Sequence, residues 1–125
     1  MKILLPSCDY SIHMHPAINF FTKRNMRGWQ MNKIITMRLI ITGRVQGVGY
    51  RAWAKRNAQE RELNGWVCNR IDGSVEMVIS GAELNVQSMI EACSEGPLAA
   101  AVMNVESAFY NYEDIAPCFN ILKTH

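Results

Sequence analysis

Ile41-Thr42-Gly43-Arg44-Val45-Gln46-Gly47-Val48-Gly49-Tyr50-Arg51 joins two different periodicities, and the fold class follows from how they meet. On its left, Leu39, Ile41, Gly43 and Val45 alternate with Arg38, Ile40, Thr42 and Arg44, the two-residue period of a strand. On its right, Tyr50, Trp53, Ala54, Asn57 and Ala58 fall on one helical stripe that runs to about Glu62. Between them, Gly47 and Gly49 open backbone conformations closed to other residues.

Working outward, Gly65–Asn69 and Ser74–Ser80 read as two strands, and Asp72-Gly73 between them signals a tight hairpin. Val86, Met89, Ile90 and Cys93 mark a second helix, with Glu83 in its first turn and Gly96-Pro97 as its stop. Ala101–Phe109 reads as a strand and Cys118–Lys123 as a short final one. The order β-α-β-β-α-β predicts an α+β, ferredoxin-like sandwich: an antiparallel sheet with two helices on one face, plus a short extra C-terminal strand.

This pattern starts near Met37. Residues 1–36 lack a sustained period and carry Lys2, Lys23, Arg24, Arg27 and Lys33 against Asp9 alone, a net +4. They read as a leader outside the fold: a flexible basic tail, the product of an early start codon, or an arm for a membrane or nucleic acid. Residues 37–125 form the expected domain, with eight basic and ten acidic residues for a net −2. A mildly acidic domain is a poor general binder of nucleic acid, whose affinity rests on neutralising many phosphates. The apolar run at Met1–Leu5 is too short for a signal peptide, and no stretch approaches the length of a membrane span, so the expected compartment is the cytoplasm.

The four cysteines, Cys8, Cys68, Cys93 and Cys118, show no C-x-x-C spacing and have no histidine near them in sequence. They are read as reduced thiols acting as small apolar residues, with a disulfide joining two of them left open because sequence alone gives no distances, and no metal site is expected. No histidine at all lies between Met37 and Lys123; His13, His15 and His125 fall outside that span. Histidine-based acid–base chemistry and a cysteine nucleophile at the loop are therefore both excluded from the core.

What remains is an anion site. Successive N–H groups freed by Gly47 and Gly49 can converge into a concave nest, and the helix start adds its own unpaired N–H groups. Arg51, in the first helical turn, offers a planar fork for two phosphate oxygens. Gly47-Val48-Gly49-Tyr50-Arg51-Ala52 also satisfies the loose dinucleotide-binding fingerprint, with Asp72 in the place of its acid. But Asp72 falls in a hairpin, and two helices cannot build a wound parallel sheet. Asn69, just before that hairpin, reads on spacing alone as a turn former.

The stretch Ile41–Arg51 resembles the first signature of the acylphosphatases. Gly65-Trp66-Val67-Cys68-Asn69, with Asp72-Gly73-Ser74-Val75 and Gly81, resembles their second, and Gly96-Pro97 with Val102 their next landmark. The resemblance covers Met37 to Lys123. It departs at Tyr50, where the family mostly has Phe, at Cys68, usually a long polar residue, and at Arg61-Glu62-Leu63, usually Leu-Gly-Leu.

The resemblance implies hydrolysis of acyl phosphates to carboxylate and inorganic phosphate without metal or organic cofactor. Arg51 would bind the phosphoryl oxygens with the backbone N–H groups of Gln46, Gly47, Val48, Gly49, Tyr50 and Arg51, and Asn69 would position the attacking water. The expected partners are a small acyl phosphate and the product phosphate, with no nucleic acid and no membrane, and the expected state is a monomer. Two alternatives stand beside it. One is a non-catalytic phosphate-binding module that keeps the fold and the anion loop; acylphosphatase-like domains also occur within larger hydrogenase-maturation proteins, which are far longer than this chain. The other is an RNA-binding sheet, which would need aromatics on the central strands, where Met37–Val45 and Ser74–Gly81 have none.

Overall fold

The computed structural model describes residues 33–111 and 114–125 of the chain. The expectations for the leader, Cys8, His13 and His15 included, lie outside the described residues, apart from its last few positions. The elements are β1 (Ile34–Arg44), α1 (Tyr50–Glu60), β2 (Asn64–Asn69), β3 (Val75–Ala82), α2 (Glu83–Cys93), β4 (Ala101–Phe109) and β5 (Phe119–Ile121). They form one five-stranded sheet of order β4-β1-β3-β2-β5 with both helices against it.

The four strands of the β-α-β-β-α-β unit pair antiparallel, as the alternating patterns predict. The extra strand is present too, but β5 runs parallel to β2, so the full sheet is mixed. β1 begins at Ile34, three residues before the expected boundary, because Ile34–Thr36 pair with Ala82–Ser80. The Lys33 carbonyl also accepts the Glu83 N–H at 2.9 Å, tying the start of β1 to the first turn of α2.

Strand alternation sends Leu39 and Ile41 of β1, Val67 of β2, and Val75, Met77 and Ile79 of β3 to the helix-covered face, where they are buried. Tyr50, Ala54 and Ala58 of α1 and Val86, Met89 and Cys93 of α2 close the core from above, with Trp53 and Ile90 at its rim. Of the predicted α1 stripe, Asn57 is only half-buried and turns its amide back to the Trp53 carbonyl. The Tyr50 hydroxyl donates to the Cys93 carbonyl at 2.7 Å, so the phenol that replaces the family's Phe brings its own partner and joins the two helices. Cys68 and Cys93 are free and buried, in keeping with their reading as small apolar residues; Cys118 is buried but is not among the free thiols.

Two backbone positions set the frame of the hairpin. Glu62 adopts φ +57 where the family has glycine, and it still closes α1, with the Leu63 N–H donating to the Ala58 carbonyl at 2.9 Å. Gly65 lies against β3 so closely that a Cβ there would stand 1.9 Å from the Val78 carbonyl oxygen. Among the described residues, no helix is long and apolar enough to cross a membrane.

Candidate functional site

Residues 45–49 leave the end of β1 and turn into α1, with Val45 buried beneath as an anchor. Gly47 and Gly49 take φ of +76 and +80, the left-handed conformation that glycine favours, and a Cβ at either would meet nothing within 4 Å. Among the described residues, no N–H from Gln46 to Arg51 is engaged in a hydrogen bond; the first engaged in α1 is that of Trp53, to the Gly49 carbonyl at 3.0 Å. A helix start always leaves N–H groups free, and here the loop extends that row.

The loop is held to the β2–β3 hairpin by one side chain. Gln46 Nε2 donates to the carbonyls of Arg70 and Ser74, both at 2.8 Å. The turn that presents these carbonyls is shaped by Asp72, whose Oδ1 accepts from the Ser74 N–H at 2.9 Å and from its hydroxyl at 2.6 Å. Those hydrogen bonds hold the Asp72 carboxyl below its usual range. Asp72 is thus spent on the hairpin, which agrees with rejecting the dinucleotide reading. The side-chain role of Gln46 was missed in the sequence, where only its backbone N–H was assigned. Its signal was an amide between apolar Val45 and Gly47, and the two carbonyls it reaches become visible only after folding.

Asn69 ends β2 on the face covered by the helices, in register with Val75. Its Oδ1 is buried and has no hydrogen-bond partner among the described residues. Buried polar atoms are paired in the great majority of cases, so a bare amide oxygen beside an open loop invites a donor from solvent or substrate. Arg51, half-buried on the first turn of α1, makes no hydrogen bond or ion pair through its guanidinium among the described residues. Its charge, with that of Arg70, opposes the upward shift that burial and Glu76 impose on the Cys68 thiol, which places both cations within electrostatic reach of the end of β2.

The fold therefore gathers the loop, Arg51 and Asn69 at one end of the sheet, and it turns Cys68 to the other face, as alternation requires. The distance between cysteine and histidine along the sequence does not carry over into space there. His125 Nδ1 lies 3.4 Å from Cys68 Sγ across 57 residues of sequence, because the tail after β5 follows β2.

A ferredoxin-like α+β domain with an anion loop at a strand–helix junction defines the class of protein. The acylphosphatase family model matches residues 37–121. The chain is 46% identical to an acylphosphatase of Azorhizobium caulinodans over 71% of its own length and 96% of that protein's. Its fold matches an acylphosphatase from Coxiella burnetii with TM-score 0.69 and 33% identity, covering 74% of this chain and 96% of the other. The crystal structure of the Bacillus subtilis acylphosphatase matches with TM-score 0.67 and 36% identity, covering 72% and 99%. The chain belongs to the acylphosphatase family and is a hydrolase acting on acyl phosphates.

Proposed function

We propose that Arg51 and the N–H groups of Gln46, Gly47, Val48, Gly49, Tyr50 and Arg51 hold the phosphoryl group, and that Asn69 places the water that attacks it. The observation that carries this reading is the pair of unmet needs at one end of the sheet. A row of unpaired donors and a guanidinium without a partner among the described residues lie there, and the buried Asn69 Oδ1 lacks a donor.

The attacking water donates to Oδ1, which leaves a lone pair aimed at phosphorus. The new P–O bond forms as the bond from phosphorus to the carboxylate oxygen breaks, and the carboxylate departs with the bonding pair. The water's proton passes to a phosphoryl oxygen, so one acyl phosphate and one water give one carboxylate and one dihydrogen phosphate. A carboxylate needs no proton to leave. Charge stabilisation and placement therefore carry the rate, and neither a histidine nor a metal takes part in the step. Inorganic phosphate, as product, competes for the same donors. The domain works as a cytoplasmic monomer on a small substrate.

The test is hydrolysis of an aryl acyl phosphate with a chelator present. Arg51→Ala and Asn69→Ala should each lower kcat/KM by roughly 10²–10³, the scale of losing one stabilising donor, with folding intact by circular dichroism. Phosphate should inhibit competitively. Native-like activity in Arg51→Ala would overturn the assignment, and a folded wild type that binds phosphate without turnover would leave the binding module in its place.

A further inference from the structure

The face of the sheet away from the helices carries a second cluster that the hydrolysis does not use. Cys68 and Glu76 are direct cross-strand partners in the β2–β3 ladder, so the backbone sets their spacing. His125 comes beside them because its N–H donates to the Asn69 carbonyl at 3.1 Å and its carbonyl accepts from the Ile71 N–H at 2.9 Å. The result is a sulfur, a carboxylate oxygen and an imidazole nitrogen all within 4.8 Å of one another.

We propose that Cys68, Glu76 and His125 form a binding site for a divalent transition metal of the zinc type, on the sheet face opposite the anion loop. Ligand atoms around a tetrahedral zinc stand about 3.5 Å apart, given the usual metal–ligand distances. Cys68 Sγ and His125 Nδ1 are already at 3.4 Å, and His125 Nε2 is 3.3 Å from Glu76 Oε1. The ring now bridges the two groups with different nitrogens, so the metal enters when the ring swings until one nitrogen faces both. The His125 side chain is 63% exposed and free to make that turn.

The rest of the environment is that of a ligand set. Thiolate and carboxylate together neutralise a dication, and a sulfur–nitrogen–oxygen set selects zinc-like ions over calcium or magnesium, which prefer oxygen alone. Arg38 Nε holds Glu76 Oε2 at 2.7 Å, which fixes the carboxylate with Oε1 toward the cluster, the role of an outer-shell partner. Three protein ligands leave a fourth position for water. The bound metal would clamp the tail after β5 onto the hairpin, and it would leave the hydrolysis untouched, since Cys68 and Asn69 point to opposite faces.

The experiment is titration of the full, chelator-stripped chain with Co²⁺, followed by Zn²⁺. A thiolate-to-cobalt charge-transfer absorption should saturate at one equivalent and vanish when Zn²⁺ displaces the cobalt. Cys68→Ser should abolish the band. His125→Ala, a change at an exposed side chain that should not impair folding, should weaken binding by about 100-fold and remove the rise in melting temperature that Zn²⁺ gives the wild type. No band in the wild type, or a band and affinity unchanged in both variants, would overturn the site. Hydrolysis should be equal in metal-free and metal-loaded protein, so failure here is separable from failure of the catalytic reading.

Discussion

Glu62 holds a left-handed backbone at the end of α1, a conformation that costs a residue with a Cβ about 1 kcal/mol or more. The surrounding hydrogen bonds impose it, since Leu63 must reach the Ala58 carbonyl. Glu62→Gly should therefore stabilise the domain by roughly 1 kcal/mol, read as a higher urea midpoint at unchanged activity. Tyr50 predicts the opposite sign. Its hydroxyl is buried, with its pKa pushed far up by that burial, and it satisfies the Cys93 carbonyl. Tyr50→Phe restores the family's usual residue but strands that carbonyl, so a loss of about 1–3 kcal/mol is expected in the same denaturation experiment.

Among the elements, the loop between β1 and α1 depends on the β2–β3 hairpin through Gln46 alone among the side-chain hydrogen bonds described. Gln46→Leu should lower kcat/KM by up to about 100-fold, the scale of a loop displaced by an ångström, while the circular dichroism spectrum keeps its shape. The element order, the β4 limits and the buried helix stripes were legible in the sequence, because period and glycine placement are local properties. The true start of β1 was not. Ile34–Thr36 owe their strand to pairing with Ala82–Ser80, a contact almost fifty residues away in sequence. Removing residues 1–32 is expected to leave the rate of hydrolysis unchanged. Removing 1–36 also takes the Lys33 carbonyl from Glu83 and the Thr36 hydroxyl from Ser80, 2.8 Å away, and should lower the melting temperature.

At the scale of the whole molecule, the closed core makes stability fall in alkali. Burial pushes the Cys93 thiol up to about 11 and raises the Cys68 thiol as well. An unfolded cysteine ionises near pH ~8.5, so above that pH the folded state binds more protons than the unfolded one and loses ground as pH rises. The Cys93 contribution is intact below ~8.5 and is lost progressively up to the folded value. Urea midpoints should decline across that window in the wild type and decline less steeply in Cys93→Ala. The proposed site draws on signals of two kinds. The loop and Arg51 carry an anion-binding signal in local sequence, and Asn69 enters only through the resemblance, since its spacing alone reads as a turn former; the contacts of Gln46 and the approach of His125 to Cys68 come from segments that only the folded sheet brings together.

The close approach at Gly65 bears on how that sheet assembles. Were β2 to pair one residue out of step, Gly65 would leave its place opposite Ile79, where its φ of +137 and its missing Cβ fit against the Val78 carbonyl. The same slip would exchange Asn69 and Cys68 between the two faces, sending the amide to the metal side and the thiol to the phosphate side. Gly65 thus acts as a key cut to one lock. It favours one alignment of the hairpin, and with it the separation of the two faces on which the adjacent residues Cys68 and Asn69 lie.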